Sequence, residues 1–241
     1  MGNECIRQEI SAEVAGIAEA TGAMVTSANK VPVVFPTTHP NYGGRYGDDK
    51  QLSKDVDTFW SIGGHMFKYA SKPDGPMVPR DATTIHTSYS ELDMARNYPV
   101  DLGAIASIKS TTGLVLEELK RRNTNTSAIK ARQQWIGEYN AKRRKTLNEI
   151  AAKESENSPL STSLLIIELD KVAESDADLV SEVVTSENHI RHYLNFDHTL
   201  PFEARRKNYD TTSGVLGWGI AAAIGVKIGR PNTENWCLTG D

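Results

Sequence analysis

The sequence predicts an α/β protein, a parallel sheet flanked by helices followed by the opening of a second α/β domain. Two patterns carry that class. Between residues 9 and 122, short apolar runs ending in glycine or serine alternate with helical segments. Near the other end, residues 212–231 run from a glycine-rich bend into an Ala-rich helix, and Asn235 to Thr239 follows as an apolar strand. The 241 residues, 39% hydrophobic and 24% charged, have ordinary soluble globular composition and suffice for one large domain or one and a half.

The elements follow in order. Ile10, Val14, Ile17 and Ala18 give residues 9–21 an amphipathic helical period, which Gly22 closes. Ala23 to Ser27 reads as a strand, and residues 32–47 form a loop with turn formers at nearly every position, His39, Pro40 and Gly43 among them. Strands are expected at Asp57 to Gly64, Thr83 to Thr87 and Asp101 to Ser107, with helices at 88–97 and 110–122. A chain that enters a helix directly after Gly2-Asn3-Glu4-Cys5 is expected to lack the first strand of this sheet. This portion, 1–122, is one unit.

Residues 123–158 change character. They contain a charged helix from Ala128 to Lys153, with the basic run Lys142 to Lys145 on a solvated face and Trp135 and Tyr139 placed to pin it to a neighbour. The third portion, 159–241, is expected to start a helix with Ser158 as N-cap and Pro159 in its first turn. A strand from Asp178 then ends on Thr185-Ser186-Glu187-Asn188. Hydroxyls and amides at such a strand-to-helix junction suit a phosphate, because the helix N-terminus adds partial positive charge. The glycines at 214, 217 and 219 bend the chain tightly enough for a ligand to approach the backbone.

Ser213 to Gly225 followed by the strand-terminal pair Gly240-Asp241 resembles the pyrophosphate-domain entry of thiamine-diphosphate-dependent enzymes of the acetolactate synthase and benzoylformate decarboxylase group. Residues 2–122 resemble the Rossmann-like central domain of the same group, with His39, Pro40 and Gly43 on the matching loop. The resemblance implies a thiamine diphosphate and Mg2+ site acting on a 2-oxo acid. Its contacts fall on Thr185 and Ser186 for the diphosphate, on Gly214, Val215, Leu216 and Gly217 for the rest of the cofactor, and on Asp241 for the metal. Leu216 takes the place of the apolar residue that props the thiazolium, and the Gly214 carbonyl that of the acceptor for the exocyclic amine. The resemblance places no catalytic group in this chain, because the activating glutamate belongs to a separate N-terminal domain, normally a neighbour's; it implies a homodimer or homotetramer for the whole protein. FAD is bound by some members on the central domain. Val215, Ala222 and the missing second half of the metal motif depart from the pattern. A chain ending at Gly240-Asp241 is expected to leave Ile220, Ile224 and Ile228 uncovered and to be inactive alone.

The remaining features bound the function. A net charge of -4 and pI near 5.9 exclude the basic footprint of a nucleic-acid-binding domain. No run approaches a membrane span and no apolar leader is present, so the expected location is cytoplasmic. Cys5 and Cys237 are read as reduced, the latter buried in its strand. His189 and His192 have the spacing of a helical metal pair but no third ligand at a suitable distance in sequence. No nucleophile elbow, Walker loop or His-Glu-x-x-His run occurs. The alternative is a non-catalytic domain that binds a nucleotide, or serves as a scaffold, through the glycine turns at 43–44 and 63–64.

Overall fold

The computed structural model describes residues 1–28, 33–47, 49, 52–66, 75–122, 126–210 and 215–240. It is an α/β protein in which every strand pairing is parallel. The first 122 residues contribute α1 (Glu4–Gln8), α2 (Ser11–Thr21), β1 (Val25–Ser27), β2 (Tyr42–Arg45), β3 (Thr58–Ile62), β4 (Thr83–Ser88), β5 (Leu102–Ile105) and α3 (Ile108–Arg121). The sets β1-β2 and β3-β4-β5 are joined through the first two residues. The amino group of Met1 donates to the Thr26 carbonyl at 2.8 Å, and Ala28 N donates to the Met1 carbonyl at 3.0 Å. Gly2 N donates to the Ile62 carbonyl at 2.8 Å, so Met1 and Gly2 bridge β1 to β3 in the position of a strand.

Beneath this sheet, Ile10, Val14, Ala18, Phe35, Tyr42, Ile62 and Ile108 form one core. Gly16 lets α3 lie close to α2, since a methyl group there would come within 3.0 Å of the Leu116 side chain. The helix expected at 88–97 is absent. Successive three-residue turns, Asp93 N to Ser90 O, Met94 N to Glu91 O and Arg96 N to Asp93 O, replace it. Ala95 adopts φ 51° and donates its N–H to His86 Nδ1 at 3.4 Å, a conformation that a continuous helix cannot hold.

Helix α4 (Thr126–Glu154) follows, about 44 Å long at the helical rise. Sparse anchors hold it to the first unit. Ile136 and Asn140 are buried, Asn140 Nδ2 donates to Pro40 O at 2.8 Å, and the Arg143 guanidinium lies over the Tyr42 ring at 5.7 Å. The basic run is therefore split, with Arg143 packed inward. Trp135 and Tyr139 stack on each other at 5.8 Å, with Trp135 exposed and Tyr139 half-buried.

The last portion holds α5 (Thr162–Val172), β6 (Asp178–Glu182), α6 (Glu187–Tyr193), β7 (Lys207–Asp210), α7 (Gly219–Gly229) and β8 (Asn235–Thr239). The sheet order is β7-β6-β8. The N-cap of α5 is Ser161, whose Oγ accepts from Leu164 N, and not Ser158, because the chain at Ser161 is still extended. Ile166, Leu169, Leu179, Ile190, Leu194 and Phe196 form the second core, joined by Val33 from the first unit. Thr37 N donates to Phe196 O and Phe196 N to Thr37 Oγ1, both at 2.9 Å, which fixes the 33–37 segment between the cores.

At the amino end of β6, buried Asp178 accepts from Arg230 Nε and Thr233 Oγ1, each at 2.8 Å. The cations of Arg205, Lys207 and Arg230 lie over the Phe202 ring at 5.5, 4.9 and 5.2 Å. This network closes the end of the sheet opposite the glycine-rich bend.

Candidate functional site

The carboxyl end of β6 is where the described members of the sequence-derived set, Thr185, Ser186, Val215, Leu216 and Gly217, lie. Glu182 is the last residue of β6 and pairs across the ladder with Thr239 of β8, which brings the strand end beside Gly240. Its side chain turns toward the head of α7. Gly217 N donates to Glu182 Oε1 and Gly219 N to Glu182 Oε2, so one carboxylate takes an amide of the turn and the first amide donor that the start of α7 leaves unsatisfied. These two N–H groups, Gly217 first, hold the carboxyl below the usual carboxylate range.

Glycine is needed at both positions for different reasons. Gly217 has φ 92°, in the left-handed region. Gly219 has no such backbone demand, but a Cβ there would lie 2.8 Å from both Cβ and Oε2 of Glu182. The bend is thus shaped around the carboxylate. Between strand end and helix, Val215 and Leu216 are exposed, Leu216 at 72%. An apolar side chain of this size held out from a clamped turn suits contact with a ligand.

On the other side of Glu182, the chain passes Val184 to Thr185 and Ser186. Ser186 is the N-cap residue of α6, yet its hydroxyl makes no capping hydrogen bond. The plain capping role expected of a serine at this place is therefore unfilled. Glu187, in the first turn, pairs with Arg191 at 2.7 Å. Thr185, Ser186, Val215, Leu216 and Gly217 thus share one end of the sheet. Gly214 and Asp241 lie outside the described residues. Glu182 lies outside the sequence-derived set: the sequence places it inside a strand that runs on to Val184, and no glycine follows it before Gly214.

The other candidates separate from this site. His189 and His192 sit on α6, burial first and then the neighbouring His192 keep the His189 ring below its ordinary pKa, and no cluster of three metal-ligating side chains occurs among the described residues. The glycine turns of the first unit are filled by the chain itself. A Cβ at Gly63 would meet Cys5 Sγ at 2.9 Å, one at Gly64 would meet Asn3 Oδ1 at 2.8 Å, and one at Gly43 would meet Met24 Sδ at 2.2 Å. Cys237, expected to be buried, is exposed, because β8 is an edge strand covered incompletely by α7. Ile220, Ile224 and Ile228 are 63%, 58% and 76% exposed, in line with the uncovered face read from the sequence. Among the described residues no helix is long and apolar enough to cross a membrane.

Comparison with known proteins places relatives beside this geometry. Residues 1–119 match the family model "Thiamine pyrophosphate enzyme, central domain", and residues 191–241 match "Thiamine pyrophosphate enzyme, C-terminal TPP binding domain". The chain is 24% identical over 247 residues to an acetolactate synthase of Mycobacterium bovis, covering 100% of this chain and 38% of that protein. It is 21% identical over 214 residues to the acetolactate synthase isozyme 3 large subunit of Escherichia coli, covering 86% of this chain and 35% of that one. The fold is similar to that of a thiamine diphosphate-dependent 4-hydroxybenzoylformate decarboxylase from Rhodococcus jostii, with TM-score 0.72 and 20% identity over 97% of this chain and 41% of the other. It is also similar to the benzoylformate decarboxylase of Polynucleobacter necessarius, with TM-score 0.71 and 16% identity over the same shares. The chain thus spans less than half the length of these relatives.

Proposed function

Because the chain belongs to the thiamine pyrophosphate enzymes, we propose that its last portion forms part of a thiamine diphosphate seat in a 2-oxo acid decarboxylase or carboligase of the acetolactate synthase kind. The observation that supports this most is the clamped bend 215–219 meeting the β6–α6 junction at one sheet end. Ligands of open α/β sheets bind outside the carboxyl ends of the strands, at such a place.

The residues fit the group in part. Ser186 has a hydroxyl that caps nothing, and with Thr185 it offers donors to a diphosphate. Leu216 stands out from a fixed turn and supplies an apolar prop, with Val215 and Gly217 alongside; Gly214 is assigned to the cofactor by the resemblance alone. The amides of Gly217 and Gly219 are taken by Glu182, so the head of α7 does not serve the phosphates. Asp241 is the proposed ligand to Mg2+. Bound thiamine diphosphate supplies the carbon nucleophile and the electron sink for decarboxylation. The chain's own residues bind and orient it.

The same reading assigns residues 1–122 as the central domain, 123–158 as connector and 159–241 as the cofactor-domain portion, in a cytoplasmic homodimer or homotetramer. The 241-residue chain by itself is expected to bind the cofactor weakly and to turn over nothing, since Mg2+ holds a diphosphate well only among several fixed oxygens and the activating glutamate is supplied elsewhere. Calorimetry with thiamine diphosphate and Mg2+, beside a pyruvate decarboxylation assay, tests this. Weak heats specific to the pair and no carbon dioxide are expected; micromolar binding or measurable turnover would show that the active site has been misplaced.

A further inference from the structure

The head of α7 is a ready anion site whose occupant belongs to the chain. Gly217 N and Gly219 N converge on the two oxygens of Glu182, and the whole residue is 8% exposed. Nothing about β6 requires a carboxylate at its last position, where the neighbours Ser181 and Val183 are small or apolar. The bend, in turn, is cut to the carboxylate, since Gly219 has no room for a Cβ against it. The acid and the two glycines are mutually fitted.

We propose that Glu182 is the positioning residue of the cofactor bend: a built-in anion that holds Gly217 to Gly219 against the end of β6, fixes the outward direction of Leu216 and keeps the head of α7 closed to the phosphates of a ligand. The cofactor part of this statement rests on the function proposed above; the clamp itself rests on the geometry alone. The clamp spans two elements separated by 35 residues for Gly217 and 37 for Gly219, so it fixes the bend in space rather than locally.

The test uses amide hydrogen exchange over residues 215–224 in the full chain. In Glu182→Ala the two N–H groups lose their acceptor, and exchange of this segment is expected to quicken by about tenfold or more, as for a locally released element. Acetate replaces the lost carboxylate and is expected to restore protection, whereas acetamide and an equal concentration of chloride are not. Inorganic phosphate is expected to protect the segment in Glu182→Ala and not in the unmodified chain. Should Glu182→Ala fail to fold, Glu182→Gln keeps the shape of the side chain. It presents one acceptor oxygen and an amide donor to two N–H groups, so it is expected to quicken exchange without responding to acetate.

Unchanged exchange in the folded variant, equal action of acetate and acetamide, or protection of the unmodified chain by phosphate would each overturn the proposal. Thiamine diphosphate with Mg2+ is added as a separate arm. Its failure to bind the unmodified chain at any concentration would count against the proposed function, while the acetate response would still decide the clamp.

Discussion

At the scale of single residues, burial of ionisable groups governs how the protein responds to pH. His198 stacks beside Phe196 at 6.2 Å, its Nε2 is buried without a partner, and burial first, then the Arg205 charge, push its pKa down to about 4. An unfolded histidine titrates near 6.5. The folded value lies below the unfolded one, so the imidazole costs nothing above pH 6.5, and stability falls as pH drops from there toward 4. Between pH 7 and 5 the loss from this residue is about 2 kcal/mol. Urea unfolding at the two pH values checks this, and His198→Leu is expected to flatten the difference; an unchanged difference would place the effect elsewhere. Glu182 shows how residue-scale chemistry escapes sequence reading. Its place within the strand from Asp178 was legible, but its partners lie across more than thirty residues of chain and are fixed only when β6 and α7 pack.

Among the elements, those with a strong period or a clear stop were legible, and those decided by tertiary contacts were not. Helix α2 ends at Gly22, which has φ 67°, as the glycine implied. The turns at 88–97 were misread because the helical spacing there is overridden by the Ala95 N–H held on buried His86. The start of α5 shifted from Ser158 to Ser161, since two serines three apart offer the same cap and only the path of the chain selects one. Strand β8 was misread for burial because a sequence does not tell a central strand from an edge. A consequence follows for the two thiols. Cys5 is buried, its Sγ donates to Ile62 O at 3.1 Å, and burial pushes its pKa up to about 11. Cys237 is exposed on β8, with a pKa raised by burial first and then by Glu182. Iodoacetamide labelling of the native protein, read by mass spectrometry, is therefore expected to mark Cys237 and spare Cys5, with both labelled in denaturant. Equal labelling of both in the native state would mean that the Met1 to Cys5 segment is not held as described.

For the molecule as a whole, the α/β class and its parallel sheets were legible because alternating strands and helices leave few other solutions. The joining of the two cores was not, because it depends on a stretch, 33–37, that reads as loop. The halves are also unequal. The first unit is covered by α2 and α3, whereas α7 presents Ile220, Ile224 and Ile228 to solvent beside edge strand β8. Segments with few buried apolar contacts open first. Limited proteolysis is expected to remove residues from 215 onward and trim toward 123–158 before it cuts 1–122. Equal protection of both halves would contradict this order.

The 33–37 segment carries one more implication. Val33 belongs to the second core, while Val34 and Phe35, the next two residues, belong to the first. The boundary between the two interiors therefore falls between Val33 and Val34, and a slip of one residue would carry a side chain across it. Loops ordinarily absorb gains and losses of single residues, but here a one-residue insertion or deletion would misfill both interiors at once. This stretch is expected to keep its length among functional variants of the protein even where its composition drifts.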